Sequence, residues 1–125
     1  MLRPFLLKPA CKDYLWGGEQ LKTLYHKHTD ITPLAETWEC SVHPDGPSTI
    51  ITGPYAGCTL REFLCLFPQA MGRHGKMYGE LPILIKLIDA EKDLSIQVHP
   101  DDAYAKKHEG QLGKTELWYV LRAQA

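Results

Sequence analysis

The chain has 125 residues, 44% hydrophobic and 23% charged, which is room for one domain with a real core and is not the composition of a disordered chain. Fourteen Lys and Arg against fifteen Asp and Glu leave a formal net charge of -1, so no basic footprint exists for nucleic acid or for an anionic membrane surface. The apolar stretch Phe5–Leu7 is interrupted by Pro4 and Pro9 and is too short for a signal-peptide core, and no run approaches the ~18 apolar residues of a membrane span.

Arg3–Lys8 predicts a short strand, and Asp13–Gly18, two aromatics before a glycine pair, a loop or strand end. Gln20–Lys27 predicts a short helix and Ala35–Val42 a strand. The turn formers His43-Pro44-Asp45-Gly46-Pro47-Ser48 then reverse the chain into a returning strand over Ser48–Thr52. Thr59-Leu60-Arg61-Glu62 has the form of a capping box. It opens a short helix carrying Phe63, Leu64, Leu66 and Phe67 and ending at Pro68. Arg73–Glu80 reads as a loop. Ile83–Asp89 is a β-branched run with one charge, Lys86, inside it, and Lys92-Asp93 marks a turn.

Ser95–His99 alternates, with Ser95, Gln97 and His99 on one face and Ile96 and Val98 on the other. Pro100 ends that strand, and Asp101 or Asp102 caps a short helix running to His108. Gly110–Gly113 is a loop, and Lys114–Leu121 a last strand with Lys114, Glu116 and Trp118 on one face; Glu116–Leu121 reads as buried. Many short strands separated by Gly and Pro turns predict a sandwich or barrel. The cysteines Cys11, Cys40, Cys58 and Cys65 show no Cys-x-x-Cys spacing and read as reduced thiols of a cytoplasmic protein.

Gln97, His99 and Glu116 stand out chemically. An imidazole, a carboxylate and an amide oxygen form a plausible ligand set for a divalent ion such as zinc. The pattern by itself favours a plainer reading, with His99 in a polar turn before Pro100 and Glu116 a solvated strand residue. Lys86 is costly to bury unpaired. It either snorkels to solvent or lines a polar pocket. If it lay beside Ser95–His99, these polar groups would share a cavity.

Several stretches resemble the type I mannose-6-phosphate isomerases in their short bacterial form. They are Trp16-Gly17-Gly18, Ala35-Glu36-Thr37-Trp38, Ser41-Val42-His43-Pro44-Asp45-Gly46, the run from Pro82 through Asp102, and Gly113-Lys114-Thr115-Glu116-Leu117-Trp118-Tyr119. The resemblance implies a mainly β, cupin-type jelly roll with a few short helices, here incomplete. It also implies a zinc-dependent enzyme interconverting mannose 6-phosphate and fructose 6-phosphate. By the same resemblance Gln97, His99 and Glu116 are three of four zinc ligands. Trp16, Glu36, Lys86, Ser95 and Lys114 then lie in or near the sugar-phosphate pocket. Lys114 is the catalytic candidate, and Lys86 and Lys114 are the candidate phosphate cations.

Family members are longer, and the fourth ligand, a His, and an Arg near the sugar belong to the part this sequence lacks. Residues 1–125 are therefore expected to be the N-terminal part of the domain, with Arg122–Ala125 marking where that part stops. The expected partners are a sugar phosphate, no nucleic acid and no membrane. A missing C-terminal segment, or a second copy joined through an open sheet edge, would complete the fold. The competing expectations are a small non-catalytic cupin that binds metal or sugar phosphate, and an inactive fragment. His43 is assigned to a turn, and His26, His28, His74 and His108 to the surface.

Overall fold

The computed structural model describes residues 3–123. The chain divides into two compact units, Met1–Leu94 and Ser95–Ala125.

The first unit is built on antiparallel pairing. Strand β1 (Leu7–Lys8) pairs with β4 (Thr49–Ile50), while β3 (Glu36–Cys40) lies between β2 (Ala10–Lys12) and β5 (Ile85–Ile88). The register sets Ala10, Trp38 and Lys86 opposite one another, and Lys12, Glu36 and Ile88 likewise. Side chains alternate along a strand, so Lys12, Glu36, Trp38 and Lys86 share one face of this sheet. A register shift between Trp38 and Cys40, against Lys86 and Ile85, makes a β-bulge at Glu39.

The expected turn at 43–48 is present and closed by side chains. Ser48 Oγ accepts from the Ser41 N–H at 3.0 Å and donates to the Trp38 carbonyl at 2.9 Å. His43 Nδ1 accepts the Asp45 N–H at 3.1 Å. Thr59 caps helix α2 (Leu60–Leu66), its hydroxyl accepting from Glu62 N while the Glu62 carboxylate accepts from Thr59 N, the complete capping box. That helix buries Leu60, Phe63 and Leu64 against Ile50, with Phe5, Leu7, Tyr55, Phe67 and Met71 packed around them. The aromatic rings meet edge to face, Phe5 to Phe63 at 4.8 Å and Tyr55 to Phe63 at 5.2 Å. Burying a side chain of this size is worth roughly 1.5–3 kcal/mol.

Four expectations are corrected. The stretch read as a loop over Arg73–Glu80 is largely helical: after a 3-10 turn at Pro68–Met71 comes α3 (Gly72–Tyr78), ended by Gly79 in the left-handed region. Gly72 at its start and Gly75 inside it lower the intrinsic helix preference and conceal it. The strand expected over Arg3–Lys8 is only Leu7–Lys8, and Ala10–Lys12, which no expectation covered, is a second one. Helix α1 is only Gln20–Thr23 rather than extending to Lys27.

The fourth correction concerns the second unit. Ser95–His99 and Lys114–Leu121 are in no β-ladder there. Alternation sets side-chain faces, whereas a ladder needs a neighbouring backbone. The burial expected for Glu116–Leu121 fails with it, since Leu117 is 88% and Val120 72% exposed, as is Ile96 at 101%.

The second unit is organised by helix α4 (Asp102–His108), close to the expected bounds. The Asp101 side chain accepts from Tyr104 N at 2.8 Å, an N-cap, and basic residues occupy the last turn, where the helix dipole favours them. His26, His28 and His108 are exposed as expected. The side chain of His74 and residues 124–125 of the tail lie outside the described residues. No helix among the described residues is long and apolar enough to cross a membrane.

Candidate functional site

Two clusters carry the chemistry, one in each unit. In the first unit Glu36 is 7% exposed. Its Oε2 accepts from Trp38 Nε1 at 2.6 Å and from Lys86 Nζ at 3.0 Å. A buried carboxylate needs such donors, because an uncompensated one would be expelled or neutralised. Lys86 therefore neither snorkels freely nor stands alone: it is half-buried, paired with Glu36, and 4.8 Å over the Trp38 ring. Lys12 Nζ lies 4.4 Å from the same ring and donates to the Asp45 carbonyl at 2.6 Å.

Trp16 is held by its backbone. Its carbonyl accepts the Glu91 and Lys92 N–H groups at 3.0 and 3.1 Å. The next residue must be glycine, since a Cβ on Gly17 would lie 2.5 Å from Ala35 Cα. The Trp16 ring stacks on Tyr14 at 5.5 Å. The Tyr14 phenol is pushed up, first by burial and then by the negative charge of Glu36, Asp45 and Asp13, so Glu36 acts on it through space.

In the second unit Glu116 is the hub. Its Oε2 lies 3.4 Å from His99 Nε2 and 2.8 Å from Lys114 Nζ, and its Oε1 accepts from Trp118 Nε1 at 2.5 Å. The Lys114 and Trp118 hydrogen bonds, with the positive charge of Lys114 and the nearby His99, hold this carboxyl down at about 2. Three local closures bring His99 and Glu116 together. Lys114 N donates to the Pro100 carbonyl at 3.2 Å, Gly113 N donates to Asp102 Oδ1 at 2.9 Å, and Asp101 caps α4 between them. Gly113 is required by close approach, as a Cβ there would lie 2.6 Å from the Asp101 carbonyl carbon. Gln97 turns its amide to Ser95, Nε2 to Oγ at 3.1 Å, and both residues are exposed.

Seven of the eight expected site residues thus fall into three contacts, Glu36 with Lys86, Ser95 with Gln97, and His99 and Lys114 with Glu116, while Trp16 meets none of the others. Trp38 and Tyr14 were missed. The alternation Glu36–Trp38 along one strand face was the available signal for the first, and the aromatic pair before the glycines for the second.

Two ligand atoms about 2.0–2.1 Å from one tetrahedral zinc stand about 3.4 Å apart, and His99 Nε2 to Glu116 Oε2 is 3.4 Å. Among the described residues no group of three or more His, Cys, Asp or Glu is placed to hold a metal. His99 and Glu116 supply two such residues, and an amide such as Gln97 would supply a third donor of another type.

The antiparallel β scaffold with short helices is a small and incomplete cupin-type fold. Residues 5–119 match the family described as phosphomannose isomerase type I, catalytic domain, and the chain belongs to that family. It is 44% identical over 123 residues to the probable mannose-6-phosphate isomerase GmuF of Bacillus subtilis, covering 97% of this chain and 38% of the relative. It is 38% identical over 128 residues to the mannose-6-phosphate isomerase of Streptococcus mutans, covering 98% and 38%. The crystal structure of mannose 6-phosphate isomerase from Bacillus subtilis superposes with a TM-score of 0.82 at 40% identity, over 90% of this chain and 35% of that one. The chain therefore spans well under half the length of the relatives it matches.

Proposed function

We propose that this chain is the part of a cytoplasmic aldose–ketose isomerase that binds zinc and sugar phosphate, and that the whole enzyme interconverts mannose 6-phosphate and fructose 6-phosphate. The observation that carries the reading is the approach of His99 to Glu116 at 3.4 Å, with Lys114 on the same carboxylate oxygen, in a chain matched over 5–119 by an isomerase catalytic domain. The four free cysteines agree with a reducing compartment.

In the isomerisation a base removes the proton on C2, that electron pair forms the C1–C2 double bond, and the C1 oxygen takes up a proton. Proton delivery to C1 and loss of the O2 proton then leave the carbonyl at C2. Zinc held by Gln97, His99 and Glu116 would supply Lewis-acid stabilisation of the negative charge on oxygen. Lys114 adds a positive charge against the Glu116 carboxylate. Lys86 offers an ammonium to the phosphate. Glu36 and Ser95 offer hydrogen-bond partners to the sugar hydroxyls, and Trp16 offers a flat wall. Because the chain spans 38% of the curated relatives, full turnover is assigned to the longer protein, in which a further histidine completes the ligand set.

Bound zinc per chain, by elemental analysis of gel-filtered protein, tests this reading. Near-stoichiometric zinc that Glu116→Ala loses is expected. Zinc retained by Glu116→Ala, or absent from both proteins, would sink the metal assignment for this chain.

A second reading is favoured by the bare side chains of Ile96, Val98 and Leu117, which further polypeptide would cover in place of water. The rest of a longer enzyme, or a second copy of this chain, would serve. A monomeric elution volume would exclude the copy.

A further inference from the structure

We propose that Trp38 is a positioning residue: its indole N–H fixes Glu36 and its ring face fixes Lys86, so that one side chain sets the geometry of the ion pair that meets the sugar phosphate. This assignment rests on the sugar-phosphate reading above. Trp38 is 6% exposed and stands directly across from Lys86 in the β3–β5 register, two residues from Glu36 on the same face. The side chains therefore meet by strand geometry.

Both donors to the buried Glu36 carboxylate fall on Oε2, the indole at 2.6 Å and the ammonium at 3.0 Å. The ammonium also lies 4.8 Å over the indole that makes the other bond, inside the reach of a cation–π attraction. Each pair in the trio thus has a direct contact, and such a closed set restricts a long lysine side chain more than a lone ion pair does. Lys12, 4.4 Å from the ring and tethered to the Asp45 carbonyl, braces the indole from the neighbouring strand. A phenylalanine at 38 would keep a ring but offer no N–H. A tyrosine would keep a donor, but at the far end of its ring.

A double-mutant cycle on mannose 6-phosphate binding, read by titration calorimetry, tests the assignment. Lys86→Met is expected to weaken binding about a hundredfold and Trp38→Phe about tenfold. The double variant should lose clearly less than the product of the two single losses, because Trp38 acts through the Glu36–Lys86 pair that Lys86→Met already breaks. Losses that multiply to about a thousandfold, or Trp38→Phe binding like the parent, would overturn the positioning role. If Lys86→Met binds as the parent does, or the parent does not bind, the sugar-phosphate reading fails instead. The same cycle read by thermal unfolding then still decides the coupling of 38 to 86, with additive losses counting against it. Should Trp38→Phe not fold, a benzothiophene analogue of tryptophan at position 38, which keeps the ring outline and removes the N–H, takes its place in both readouts.

Discussion

Glu36 and Glu116 each accept from a tryptophan two residues further on and from a lysine, yet the surroundings that hold them have little in common. Glu36 stands in the middle strand of a three-stranded sheet, so its neighbours are dictated by register with β2 and β5. Glu116 stands outside any ladder, and its approach to His99 depends on the α4 cap, the Gly113–Asp102 bond and the Lys114–Pro100 bond. A ladder distributes the cost of disturbing one residue over many backbone bonds. A chain of a few local closures does not. The same chemical trio is therefore robust in the first unit and sensitive to single closures in the second.

The comparison can be broken most severely from the core side. Phe63→Ala removes the ring at the centre of the aromatic cluster and is expected to cost about 3–5 kcal/mol. Denaturant titration should show a lower midpoint for the sheet unit, while the Glu116 cluster, which contains no Phe63 contact, is affected only through loss of the fold. Gly113→Ala attacks the other side. Its Cβ would meet backbone 2.6 Å away, costing about 1–3 kcal/mol by overpacking. Zinc uptake should fall more than tenfold with the near-ultraviolet signal of the Phe63 cluster unchanged; equal uptake would show that the closures do not set the His99–Glu116 distance.

Asp101→Ala removes one N-cap and is expected to cost about 1 kcal/mol. Faster amide exchange confined to α4 is the check. The smallest effect concerns Glu62, whose carboxyl is held below its ordinary range by its hydrogen bonds to the Thr59 backbone and hydroxyl. A carboxyl depressed by folding adds stability above its unfolded pKa, and that contribution is lost as pH falls through the folded value. Melting temperatures taken from neutral to acid pH should therefore drop slightly less for Glu62→Gln than for the parent chain.

What could be read in the residues follows the same division. The capping box at Thr59–Glu62, the turn at His43–Ser48 and the Asp101 cap were legible because each is specified within a few residues. Helix α3 was not, because Gly72 and Gly75 mask it locally and only packing supports it. The alternation over Ser95–His99 could not supply a neighbouring backbone, and of its polar set only Ser95 and Gln97 meet. At the site, the resemblance named Glu36, Lys86, His99 and Glu116, but the pairing of Glu36 with Lys86 was not legible. Nor was Trp38, since nothing in a lone tryptophan announces that its N–H and its ring face will meet the two halves of one ion pair. That depends on the β3–β5 register, a non-local fact.

The bulge at Glu39 has a consequence for how little chain this unit needs. Before it, Glu36 and Trp38 point to the polar cluster. After it, Cys40 pairs with Ile85 rather than with a residue of Lys86's parity, and it packs with the apolar cluster around Ile50 and Phe63. One surplus residue shifts the strand's alternation by half a period, so five consecutive residues wall two interiors of opposite character. Were Glu39 instead drawn into regular register opposite Ile85, Cys40 would fall opposite Leu84 and turn toward the charges, leaving the oily side one wall short.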